Sequence, residues 1–148
     1  MPQTPALAMI LVAVAGAAIA LQSPINAALG RQIASTLGAA TISFGVGFVL
    51  LLAITVIYGD GARLAHALQA PLVLLTGGIL GAFLVWATLW SVPVLGVLTL
   101  TAVLILGQIV AALAIDHMGL FGLVARDISL TRVLAAGLVG AGVILSRF

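Results

Sequence analysis

The chain contains no lysine, no glutamate and no cysteine. Its formal charges are five arginines and three aspartates, 5% of 148 residues, where a soluble domain carries about 25%. That supply cannot cover a solvated surface, which excludes a soluble domain or a hydrophilic linker and leaves lipid as the main solvent. The arginines are scattered, so the basic patch that nucleic-acid binding requires is missing. Without cysteine there is no disulfide and no thiolate metal site. Paired carboxylates, histidines at metal-ligand spacing, phosphate-binding glycine loops and a nucleophile with an evident base are also missing. Ser43 stands in SFGVG, which is not a strand-to-helix nucleophile elbow. The sequence therefore argues against an enzyme and implies no cofactor or resident metal.

What the chain has is apolar residues, 64% of the total, with a mean hydropathy of +1.43. Hydropathy and turn residues predict one membrane domain over residues 1–148, all-α, with five spans at about 5–29, 39–58, 71–92, 95–115 and 129–145. The opening residues MPQTP lack the basic region of a cleaved signal peptide, so the first run is expected to remain as a span. Pro71 suits a first helical turn, Pro93 is expected to end the third span, and Ser129 to cap the fifth. Small-residue pairs such as Gly77 with Gly81 and Ala136 with Gly140 fit close helix packing in lipid.

Five spans put Arg63, Arg126 and Arg132 on one side of the membrane and Arg31 and Arg147 on the other. All five read most simply as headgroup anchors. A three-to-two bias is a weak orientation signal. A single fixed topology and insertion in both orientations, pairing as an antiparallel homodimer, both remain open.

The first run, ALAMILVAVAGAAIALQSPINAALG, is interrupted by Gln22, Pro24 and Asn26. A proline inside a helix removes a backbone donor and pushes away the carbonyl four residues back, here that of Ala20. In hydrocarbon the freed groups and the amides need protein partners or a wet cavity. Gln22 and Asn26, four apart, share a helix side. At 1.5 Å per residue Gln22, Ser43 and Trp86 fall at one depth, about 10 Å inside the Arg31 face. Gln108 lies about 20 Å from that face, a depth an antiparallel second copy would invert into the Gln22 layer.

These side chains therefore form a candidate substrate site, Gln22, Asn26, Ser43, Trp86 and Gln108, with Pro24 as a hinge. Plainer readings stand beside it: interhelical glue for the amides, packing for Trp86, and a hydrogen bond back to its own helix for Ser43. Trp90 and Tyr58 read as interfacial belt residues. Asp116 and His117 close the fourth span, either as a headgroup-level pair or as a proton-sensitive gate.

At these residues the chain resembles the YdcZ family of small bacterial inner-membrane proteins, within the drug/metabolite transporter superfamily. The matching stretches are LQSPINAALGRQ, ISFGVGFVLLL, GQIVAALAIDHMGLFG and SLTRVLAAGLVGAGVIL, of which the third is the most specific. The resemblance implies half of an inverted-repeat transporter, completed by a homodimer or a paired homologue, in a multi-pass inner-membrane setting. Related small multidrug exporters carry a glutamate in their first helix, whereas this chain has only amides there, so their proton coupling does not carry over. The expectation is a carrier, and more specifically an exporter, of a neutral or cationic small molecule, working by alternating access. A passive channel or a non-transporting membrane partner are the alternatives.

Overall fold

The computed structural model describes residues 4–146 and 148; the anchor role expected of Arg147 and the first three residues of the opening tail lie outside them. The described residues are helical, with no strand among them, and divide into two units, Met1–Pro93 and Val94–Phe148.

The first unit begins with α1, Pro5–Gln32, and α2, Thr36–Ile57. Thr4 caps α1, its hydroxyl oxygen accepting the Leu7 N–H, with proline in the first turn where no amide proton is needed. Pro24 is held inside α1. The connection to α2 is only residues 33–35, shorter than the turn over 30–38 expected from the sequence. Ala34 turns the chain at φ 54°, and Ser35 caps α2 by accepting the Gly38 N–H at 2.9 Å. These two local devices let each helix run several residues closer to the other. Arg31 falls in the last turn of α1, where its charge suits the negative helix end.

After α2 comes a 3-10 segment, Gly61–Gln69, whose Arg63 forms an exposed ion pair at 2.6 Å with Asp60, the residue that precedes the segment. The run expected from Pro71 is split: α3 is Leu72–Leu75, with Pro71 as its cap, and α4 starts at Gly77. The interruption precedes Gly77–Gly78, two residues that lose the most backbone entropy in a helix.

α4 is Gly77–Met118, and it corrects the position of the expected break. Pro93 is accommodated inside the helix; the backbone leaves helical geometry at Gly96, φ 74° and ψ 165°. That region is essentially reserved for glycine, so glycine, not the proline three residues earlier, marks the discontinuity. In the first unit, Leu89 packs on Ala39 and Ala40, with Leu29 and Val85 around them. The Phe44 ring lies 3.5 Å from where a Cβ on Gly81 would be. Pairing 81 with 44 and 89 with 39 and 40 makes this part of α4 antiparallel to α2, and so parallel to α1. Small residues at these contacts permit the close approach that replaces hydrophobic drive in lipid.

The second unit pairs the later part of α4 with α5, Leu130–Leu145. Ser129 caps α5 as expected, accepting the Arg132 N–H. Three contacts fix an antiparallel register: the Thr99 hydroxyl donates to the Ser146 carbonyl at 3.0 Å, Leu106 approaches Gly140, and Arg132 pairs with Asp116. The connecting loop depends on Gly119, φ 60°, where a Cβ would crowd the Leu123 carbonyl oxygen at 3.1 Å. By length and composition α1, α2 and the stretch Leu72–Met118 suffice to cross a membrane, and α5 is a shorter apolar helix.

Candidate functional site

Three of the expected site residues meet. Across the α1–α2 pair, Asn26 Nδ2 donates to Ser43 Oγ at 2.9 Å and Gln22 Nε2 donates to the same oxygen at 3.3 Å. The helical repeat places Gln22 and Asn26 one turn apart on α1, and the short 33–35 connection sets α2 in the register that brings Ser43 opposite both. Ser43 makes no hydrogen bond back to its own helix among the described residues, whereas Thr41 does, donating to the Leu37 carbonyl at 3.0 Å.

The two amides are not equivalent. Asn26 is only 6% exposed and its bond has ordinary length. Gln22 is exposed, and its bond lies at the long edge of the accepted range. Each amide still has an oxygen with no donor among the described residues. Gln22 also borders two spaces. A groove of about 320 Å³ runs along α2, lined by Gln22, Ser43, Phe44, Gly47, Phe48 and Leu51. A smaller pocket of about 30 Å³, on the scale of one or two waters, is walled by Gln22, Ser23 and Asn26 of α1 and Thr88 of α4, among others. The groove is at the lower end of small-molecule site volumes.

The remaining candidates lie elsewhere. Trp86 is 40% exposed and tilts against Phe83, with ring centroids 6.2 Å apart; it lines neither space. Gln108 sits in the second unit, exposed and without a side-chain hydrogen bond among the described residues. Asp116 accepts from Arg132 Nη2 at 3.0 Å, both side chains about one-third exposed, while Arg132 Nη1 is buried without a partner. His117, beside it in the last turn of α4, is exposed. The Asp116 carbonyl also accepts the Arg126 N–H at 2.8 Å, which ties the 119–128 loop to the end of α4.

Sequence reasoning passed over the groove walls and the partner of Asp116. The groove signal was present: Ser43, Gly47 and Leu51 recur every four residues, with Phe44 and Phe48 one position on, a single stripe of α2. Arg132 carried no comparable signal, because its partner is sixteen residues away and depends on the α4–α5 register.

The sequence profile of the family described as "Putative inner membrane exporter, YdcZ" matches residues 7–145. No curated protein and no solved structure gives a significant match to the chain.

Proposed function

We propose, from the premise that the chain belongs to the YdcZ family, that it carries a small organic molecule out across the bacterial inner membrane. The family description supports membrane export; the cargo, mechanism and assembly are our reading. The observation that carries it is Gln22: an exposed amide with unused hydrogen-bonding capacity, on a membrane-length helix, bordering a groove of ligand size. A carboxamide facing hydrocarbon is costly, and a site that periodically receives a polar cargo accounts for its presence.

In this reading α4, whose 42 residues are about twice the ~20 that one crossing needs, serves as two spans divided at Gly96. With α1, α2 and α5 this makes five crossings. A second, oppositely inserted copy, or a paired homologue, completes the carrier and brings its Gln108 to the Gln22 layer. Gln22 and Ser43 bind the cargo, neutral or cationic; Asn26 holds α1 against α2; Pro24 gives α1 the flexibility alternating access needs. Trp86 contributes from the outer surface of its helix once the second copy is present. Asp116 with His117 gates the far end.

The test is uptake by reconstituted liposomes across a panel of labelled neutral and cationic drugs and metabolites. Saturable flux of at least one compound is expected, abolished in Gln22→Leu and Gln108→Leu while dimers still form. Retained flux in both variants removes these residues from the mechanism, and non-saturating flux at channel rates overturns the carrier.

A further inference from the structure

Hydrogen bonding at the Ser43 hydroxyl is incomplete. A hydroxyl offers two lone pairs and one proton. Gln22 and Asn26 both donate to Ser43 Oγ, which occupies the lone pairs. The proton then has no acceptor among the described residues. Neighbouring hydroxyls solve this locally: Ser23, Thr41, Thr55 and Thr88 each donate to a carbonyl of their own helix. Ser43 instead lines the groove, with Phe44 and Phe48 on the same stripe. No acidic or basic side chain lines that groove, and the first acid in the chain, Asp60, is engaged by Arg63 in an exposed pair.

We propose that the α1–α2 groove binds an uncharged, mainly aromatic molecule through a single hydrogen-bond acceptor, such as a ketone or amide carbonyl, that takes the Ser43 proton. This rests on the reading of the Gln22 layer as the cargo site and narrows its cargo. A cation gains from the faces of Phe44 and Phe48 less than the removal of its charge from water costs, with no counter-charge on the wall. An anion finds no basic group at all. A pure hydrocarbon leaves the hydroxyl proton unpaired, as it is without ligand, and is bound less well than its carbonyl analogue.

The probe is benzophenone, whose carbonyl is both the required acceptor and a photoreactive group. The protein in phosphatidylcholine nanodiscs is irradiated with it, and labelled residues are mapped by mass spectrometry. Saturable labelling within residues 44–51 is expected, competed by acetophenone at roughly tenfold lower concentration than by the isosteric hydrocarbon cumene. Ser43→Ala should equalise the two competitors and Ser43→Thr should restore the difference, which separates loss of the hydroxyl from misfolding. Equal competition in the wild type, preference retained in Ser43→Ala, or a trimethylphenylammonium competitor stronger than acetophenone overturns the proposal. Absence of saturable label also overturns it, the groove then being filled by an acyl chain or a second copy. Selective binding without flux in liposomes would instead overturn the carrier reading and leave the chemistry of the groove intact.

Discussion

Asn26 Nδ2 lies 2.9 Å from Ser43 Oγ, joining two membrane-length helices through a side chain that is almost wholly buried. This bond closes across the register that the short 33–35 connection sets, in apolar surroundings where few other polar contacts compete with it. A double-mutant cycle of Asn26→Ala and Ser43→Ala, followed by reversible unfolding in mixed micelles, should give a coupling of about 0.6 kcal/mol, with ~1.7 kcal/mol as the upper end for such bonds. Gln22→Leu should cost less than Asn26→Leu, because the Gln22 bond is longer and its side chain exposed. A coupling indistinguishable from zero would remove Asn26 from its holding role.

Gly96 and Gly16 make a controlled pair. A Cβ at either meets nothing within 4 Å, so packing does not distinguish them. Gly96 has φ 74° and Gly16 is helical. Gly96→Ala should destabilise by about 1–3 kcal/mol through backbone strain alone, while Gly16→Ala should be neutral or stabilising by up to ~1 kcal/mol. Thermal unfolding of both variants in one detergent decides the matter, and equal effects would refute the assigned break.

The Asp116–Arg132 pair joins α4 to α5 with both side chains about one-third exposed, between the fully solvated and fully buried limits. Asp116→Ala should cost about 1–2 kcal/mol, since it strands a guanidinium that already has one buried, unpartnered nitrogen. The exchange Asp116→Arg with Arg132→Asp should recover part of that loss. Asp60→Ala, breaking a pair exposed at 50% on the aspartate and 78% on the arginine, should change stability by less than about 1 kcal/mol. Identical losses at the two sites would contradict this ordering.

Pro24 separates stability from transport. Pro24→Ala restores a donor for the Ala20 carbonyl and removes the ring clash within α1. The expected result is an unchanged or raised melting temperature together with reduced flux in liposomes. Reduced flux with a lowered melting temperature would make Pro24 a packing residue and end its role as a hinge.

How far the sequence could be read varied by residue. The i, i+4 spacing is enough to put Gln22 and Asn26 on one side of α1, and depth alone puts Ser43 level with Gln22. The same depth argument places Trp86 at that level too, yet its ring packs on Phe83, away from both spaces beside Gln22. Depth is one coordinate; the rotation of a helix about its axis is another, and an apolar stripe in lipid constrains it weakly. Pro93 was the stronger local break signal than Gly96, but a membrane helix can re-satisfy the carbonyl that proline frees, while a positive φ with extended ψ cannot be hidden inside a helix.

The amino-acid sequence by itself determined that this protein belongs in a bilayer, because so few charges cannot solvate a surface, and that it is helical, because uncharged runs of spanning length pair their backbone amides within each run in hydrocarbon. The cap at Ser129 was legible in the same local way, through a short polar side chain beside an apolar run, whereas the caps at Thr4 and Ser35 came from the structure. Only the tertiary structure decided that one serine oxygen receives both amides and that Asp116 meets Arg132. Those partnerships depend on how far each helix slides and turns against its neighbour, and that is settled by the joint packing of many small residues, none of which specifies it alone.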